Sequence, residues 1–249
     1  MEYEGLILDK EAGVAILTLN RPQRLNAIST SMSNSIKNAL NDVGGDNNVK
    51  VLIITGAGRA FCAGADIGDF LPVLGNMSED ELNKEMSALT LSIHNLSKPT
   101  IAAIALLCDI RIGSEQANFA SGYIRMGLTP DVGITYSLPR LVGTAKAMEF
   151  MITGDIIDAA EACRIGMLNK VVAEEDLITT ARDMADRIAI GPSVAIELTK
   201  QIVRKGIQNS LEEQVELEAS TFYTCLRTED LKEGANAFLD KRQPEFKGK

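Results

Sequence analysis

The stretch that most constrains this chain covers residues 51–69, VLIITGAGRAFCAGADIGD. It opens with Val51, Leu52, Ile53, Ile54 and Thr55, a short apolar and β-branched run that reads as a buried strand. The next twelve residues, Gly56-Ala57-Gly58-Arg59 and then Ala60-Phe61-Cys62-Ala63-Gly64-Ala65-Asp66-Ile67, make a turn with almost no side-chain bulk. Small residues let a backbone come close to a ligand. A strand running into such a turn, with a helix behind it, aims backbone N–H groups at one point where an anion or oxyanion can sit. A glycine-rich turn on its own equally makes a plain strand-to-helix connection, so the rest of the chain must discriminate.

Of the 249 residues, 45% are hydrophobic, enough for a full-sized core and too many for a disordered protein. No apolar run approaches the ~20 residues that span a bilayer. The acidic start MEYEGLILDKEAG lacks the basic region of a signal peptide. Cys62, Cys108, Cys163 and Cys225 form no CxxC pair, which argues against zinc or a disulfide framework and for a reducing cytoplasm. A net charge of −9 without a basic cluster argues against nucleic acid and against an anionic membrane. A phosphate-rich ligand would then be held by local Lys or Arg and by backbone donors. His94 is the single histidine, which excludes a two-His metal site and disfavours a Ser–His–Asp triad. Its neighbours Leu89, Ile93 and Leu96 predict a helix histidine at the surface or core edge.

In chain order, residues 6–10 and 14–20 predict a hairpin, and 20–27 an irregular turn. Ser29 predicts the cap of a helix over 31–43 that stops at Gly44-Gly45. Strand, helix, strand in this order predicts parallel crossovers. Residues 70–77 read as irregular, Ser78-Glu-Asp-Glu as a capping box for a helix to about Leu96, and 100–104 as another buried strand. Beyond these the pattern predicts helices over 145–153 and 159–165, the latter capped by Asp158. A short edge strand at Val171-Val172 and helices over 176–190, 193–206, 210–226 and 229–240 complete the pattern. Gly191-Pro192 divides a core (1–190) from a helical region (191–249) whose apolar stripes need a partner surface.

With the strand before it, Ala-Phe-Cys-Ala-Gly-Ala-Asp-Ile resembles the signature of the crotonase (enoyl-CoA hydratase/isomerase) superfamily. Asn20-Arg21-Pro22-Gln23-Arg24-Leu25-Asn26-Ala27 is similar to the family's Asn-Arg-Pro-x-Lys/Arg-x-Asn-Ala, and the resemblance covers essentially the whole chain. It implies an α/β fold of the crotonase type, a spiral of ββα repeats with a C-terminal helical trimerisation region. It implies an acyl-CoA substrate, with coenzyme A as part of that substrate and no separate cofactor or metal. By the same resemblance Arg24, Leu25 and Ala27 line the pantetheine and nucleotide, with Arg24 near phosphate. Ala63, Ala65, Asp66 and Ile67 should lie around that cleft, the Ala65 N–H serving as an oxyanion donor. The tail, with Phe238 and Lys241, matches family residues that reach a neighbouring subunit's CoA, so a homotrimer or dimer of trimers is implied.

Residues 119–143, FASGYIRMGLTPDVGITYSLPRLVG, line up with the family at Gly127, Pro130, Gly133, Thr135 and Pro139-Arg140, yet Tyr123 stands where hydratases carry a glutamate. Tyrosine, with a reference pKa of about 10, cannot replace a carboxylate base near neutral pH. Asp131 in Pro-Asp-Val-Gly resembles the isomerase branch that includes ring-epoxide phenylacetyl-CoA isomerases and some Δ3,Δ2-enoyl-CoA isomerases, where the aspartate is the acid/base. The plain alternative is a turn residue after proline. The resemblance implies Asp131, Ala65 and Tyr123 as the catalytic set of a double-bond isomerisation. The alternatives are hydration of a 2-enoyl-CoA, or acyl-CoA binding without chemistry. A second departure comes after Ile104, where the family inserts Asn-Gly, a glycine-rich turn with the second oxyanion donor and a helix ending in Cys-Asp-Ile-Arg. Here Ala105-Leu106-Leu107-Cys108-Asp109-Ile110-Arg111-Ile112 comes directly. Residues 105–108 read as the last turns of that helix, and a parallel crossover needs a dozen or more residues. The expectation is therefore that Ile104–Ala105 is not a true peptide bond but a join across an omitted loop.

Overall fold

The computed structural model describes residues 3–74, 76–102 and 106–249, so the expected join at Ile104–Ala105 lies outside the described residues. The chain opens with β1 (Leu6–Glu11) and β2 (Val14–Leu19), antiparallel with Glu11 opposite Val14. Ala12 and Gly13 both take positive φ, the two-residue turn whose twist suits such a hairpin. Helix α1 (Thr30–Gly45) is capped by the Ser29 hydroxyl, which accepts the Met32 N–H. Strand β3 (Val51–Gly56) then pairs in parallel with β2.

Residues 70–77 are expected to be irregular, but α2 (Ile67–Leu74) covers the first five of them. The Asp66 carbonyl starts it by accepting the N–H groups of Asp69 and Phe70. Pro72 removes one bond, to a Gly68 carbonyl on an exposed residue where water takes its place. Helix α3 (Glu79–His94) begins at the expected Ser78–Glu81 capping box.

Strands β4 (Thr100–Ala102) and β5 (Ile110–Ser114) are parallel, with Ile101 opposite Ile110. Residues 106–109, expected as the last turns of a helix, are turn and bend.

The chain continues through β6 (Asn118–Ala120), α4 (Ile134–Val142), α5 (Thr144–Thr153), β7 (Ile156–Asp158) and α6 (Ala159–Arg164). Strands β6 and β7 pair apart from the main sheet, and Phe119, Leu138, Phe150, Met151 and Leu168 bury a second core there. Strand β8 (Lys170–Val172) closes a sheet of order β1-β2-β3-β4-β5-β8 as its edge. Helix α7 (Leu177–Ala189) covers one face through Ala181 and Ala185, against Val14, Val51, Ile53 and Ile101. Helix α1 covers the other, against Leu17, Leu52 and Ile54. Alternate residues of β2 and β3 face opposite helices, so both faces are buried and the strands read as unbroken apolar runs.

The chain ends in α8 (Ser193–Gly206), α9 (Leu211–Leu226) and α10 (Glu229–Asp240). Two cations pin α8 to the end of the sheet. The Asp109 carboxylate accepts from Lys200 Nζ at 2.7 Å, Arg204 Nη2 at 2.7 Å, and the Thr100 N–H and hydroxyl, both at 2.8 Å. Lys200 also donates to the Lys98 carbonyl at 2.6 Å, and Arg204 to the carbonyl of His94, the last residue of α3. His94 itself sits half-buried, edge-on to the Tyr136 ring. Among the described residues no helix is long and apolar enough to cross a membrane.

Burial alone would raise the Asp109 carboxyl, but Lys200, Arg204 and Thr100 outweigh it and hold it below its ordinary value. Asp109→Asn leaves Lys200 and Arg204 without their counter-charge, and removing one partner of such a pair costs about 3–5 kcal/mol. Urea unfolding at pH 7 should show a loss of that size. Because the folded carboxyl is depressed, its contribution is present above the unfolded pKa of about 3.9 and is lost as pH falls through the folded value. The wild-type and variant stabilities should therefore converge in acid. A variant as stable as wild type at pH 7 would show the clamp to be dispensable.

Candidate active site

Two loops meet at the ends of β2 and β3. The first turns through a short 3-10 segment, Pro22–Arg24, and then through Leu25 and Asn26, which both adopt left-handed φ of 51° and 56°. Asn tolerates that conformation better than most residues. Here its fully buried side chain also binds the second loop, Nδ2 donating to the carbonyls of Ala57 at 2.9 Å and Ala60 at 2.6 Å, while Oδ1 accepts the Arg21 N–H. Arg21 adds a charged tie, donating to the Ala27 carbonyl at 2.6 Å and to Asp66 Oδ2 at 3.0 Å. Gly56 is required where β3 enters the turn, since a Cβ there would lie 2.4 Å from the Phe61 carbonyl oxygen.

Backbone bonds complete the junction. Ala63 N–H donates to the Leu25 carbonyl, Ile28 N–H to the Gly64 carbonyl, and Asp66 N–H to the Ile28 carbonyl, at 3.0, 2.9 and 2.8 Å. Ile28 and Ala65 thus form a parallel bridge in which the neighbours of Ala65 carry the bonds. In such a bridge the flanked residue turns its own N–H and C=O away from the partner strand. Ala65 is exposed, and its N–H meets no acceptor among the described residues. It is a backbone donor held rigidly and left open.

A third segment brings the carboxylate. Tyr123 lies on a 3-10 turn, Gly122–Met126, closed by Gly127 in a left-handed conformation and by Leu128 N–H donating to the Tyr123 carbonyl. Its hydroxyl donates to Asp131 Oδ1 at 2.5 Å. Burial, then the hydrogen bond and charge of Asp131, push the Tyr123 phenol above its ordinary value, so it stays a proton donor. The Cys62 thiol is itself pushed up by burial, against the Gly64 N–H it accepts. Asp131 does not cap α4: the N-cap is Gly133, with no side-chain bond.

The site residues expected from sequence divide accordingly. Arg24, Leu25, Ala27, Ala63, Ala65 and Asp66 share the two bonded loops, and Ile67 opens α2 directly after them. Arg24 is exposed, with its side chain free to approach a ligand. Asp66 serves the loop rather than the opening, since its N–H and Oδ2 are both engaged. Tyr123 and Asp131 are brought together. Phe238, 83% exposed, and Lys241 sit at the far end of α10, and no described contact joins them to these loops. Arg21 and Asn26 were legible in sequence only as members of a turn, yet they hold the junction. One open N–H and one carboxylate held by a neutral phenol can stabilise an oxyanion and move a single proton.

Comparison with known proteins gives the family. The enoyl-CoA hydratase/isomerase family model matches residues 9–249. The chain is 38% identical to the crotonyl-CoA hydratase of Syntrophomonas wolfei over 258 aligned positions, covering 99% of each chain. Those 258 positions exceed the 249 residues here, so at least nine of them have no counterpart in this chain. It is 36% identical to the 1,2-epoxyphenylacetyl-CoA isomerase of Escherichia coli, again over 99% of each. Among solved structures, the enoyl-CoA hydratase of Bacillus anthracis matches with a TM-score of 0.92 at 31% identity, covering 99% of this chain and 100% of that one. A mixed α/β architecture with the two bonded loops at the ends of its parallel strands, matched in sequence from residue 9 to 249, is that of a crotonase: the chain belongs to the enoyl-CoA hydratase/isomerase family.

Proposed function

We propose that this protein shifts the double bond of an enoyl-CoA thioester, with Asp131 as the acid/base and the Ala65 N–H as a donor to the enolate oxygen. The observation that carries this reading is the Tyr123–Asp131 hydrogen bond. It leaves one carboxylate at the site, and the phenol beside it is a donor that cannot take a proton near neutral pH. One carboxylate suffices to remove a proton from one carbon and return it to another, whereas adding water asks for a second group to activate it. The isomerase of Escherichia coli among the relatives supports the same reading. Hydration is the second reading, favoured by relatives that are named hydratases, such as the crotonyl-CoA hydratase of Syntrophomonas wolfei.

Arg24, Leu25, Ala27, Ala63 and Ile67 line the coenzyme A moiety in this proposal, which the shared loop junction supports. We place Phe238 and Lys241 against a neighbouring subunit's ligand, since neither touches the loops of its own chain. The C-terminal helices support a homotrimer or a dimer of trimers: Leu211, Phe222, Tyr223, Phe238 and Leu239 are 60–83% exposed, too much apolar surface to leave in water.

Two measurements test the proposal. With a 3-enoyl-CoA, Asp131→Asn should lose isomerisation by about 10²–10⁴-fold, the contribution typical of an acid/base, while acyl-CoA affinity stays within a few-fold. Undiminished turnover would return Asp131 to a turn residue, and hydration of crotonyl-CoA outrunning isomerisation would favour the second reading. Light scattering should give three or six times the 26.8 kDa chain mass, and a stable monomer at micromolar concentration would contradict the assembly.

A further inference from the structure

Resting on the isomerase reading, we infer that Tyr123 is a positioning residue that selects the working oxygen of Asp131 and keeps the site from activating water. The Tyr123 hydroxyl occupies Asp131 Oδ1 at 2.5 Å, and Oδ2 meets no partner among the described residues. Only one carboxylate oxygen is therefore open to a substrate. The backbone reinforces this arrangement. Val132, directly after Asp131, has a φ of +45°, an unusual conformation for a β-branched residue, and Gly133 comes next at +76°. Gly133 is wedged against Thr90 of α3 and Leu107, with a built Cβ 3.1 and 3.4 Å from them. A relaxed turn would let Asp131 fold onto the N-terminus of α4, as an aspartate usually does. The strained one turns it to Tyr123 instead.

This geometry sets the proton balance. Asp131 Oδ2 takes a proton from one substrate carbon: that C–H bond breaks, an O–H bond forms, and the electron pair moves onto the thioester carbonyl oxygen opposite the Ala65 N–H. The same oxygen then returns the proton to the other carbon as the electron pair flows back, and nothing is gained or lost. Water activation would need a second acceptor. The one described side-chain partner of the Asp131 carboxylate is the Tyr123 phenol, which burial and the Asp131 charge keep protonated, so among the described residues no second acceptor touches it.

The test compares wild type, Tyr123→Phe and Val132→Gly on a 3-enoyl-CoA and on crotonyl-CoA. Tyr123→Phe should lower isomerisation kcat about 10- to 100-fold, the range for a hydrogen bond to a charged group, with KM within about 3-fold. Val132→Gly supplies a residue that takes the left-handed backbone without strain, so it should keep the turn and isomerise within about 3-fold of wild type. Wild type should hydrate crotonyl-CoA at least about 100-fold more slowly than it isomerises. An unchanged kcat in Tyr123→Phe, with wild-type isomerisation intact, overturns this inference alone. Absence of isomerisation by wild type overturns the isomerase reading and the inference with it.

Discussion

The buried amide of Asn26 is the interaction on which the site depends. Two hydrogen bonds, given to the Ala57 and Ala60 carbonyls, lock the loop after β2 to the loop after β3, and a third, accepted from Arg21, fixes the amide within its own loop. Without them the Ile28–Ala65 bridge would have no fixed register, and the Ala65 N–H no fixed direction. A donor contributes most to an oxyanion when it is already aimed before charge develops. The amide suits the place because its side chain carries both donors and an acceptor and because Asn accepts a left-handed backbone. The Arg21–Asp66 ion pair, with both side chains mostly covered, backs the same junction from the solvent side.

The acid/base half is organised differently. Its order comes from a strained turn rather than from a ladder. Val132 holds a conformation that glycine would adopt more easily, and Gly133 after it lies where an added Cβ would meet Thr90 of α3 at 3.1 Å and Leu107 at 3.4 Å. Strain of this kind persists only when neighbouring packing over-determines it. In this fold the neighbouring packing is the end of α3 and the turn at 106–109, the same pieces that Arg204 binds through the carbonyls of His94 and Leu107. The Asp109 clamp therefore stabilises the ground on which Asp131 stands as well as the seat of α8.

The same clamp joins the start of β4 to the start of β5. Thr100, the first residue of β4, and Asp109, the residue before β5, bond one another directly. Lys200 and Arg204 reach the same carboxylate from the C-terminal region. The buried Arg111 is satisfied in the same neighbourhood by the carbonyls of Cys108 and Met167.

The part of this protein that its sequence alone determined is local and periodic. Unbroken apolar runs specify β2 and β3, with their two buried faces. Ser29, Ser78, Asp158 and Ser210 mark helix starts because a hydroxyl or carboxylate there reaches N–H groups only two or three residues on. The two loop motifs, read with their flanking strands, pointed to the family and to the loops where Arg24 and Ala65 lie. Tertiary structure decided the rest. That Asn26 bonds residues more than thirty positions away, that Asp131 faces Tyr123 and not α4, and that α2 runs through Pro72 all depend on partners that spacing does not encode. Local signals act over one turn of chain, whereas these pairings exist only once loop closure has been overcome by the core packed around β3.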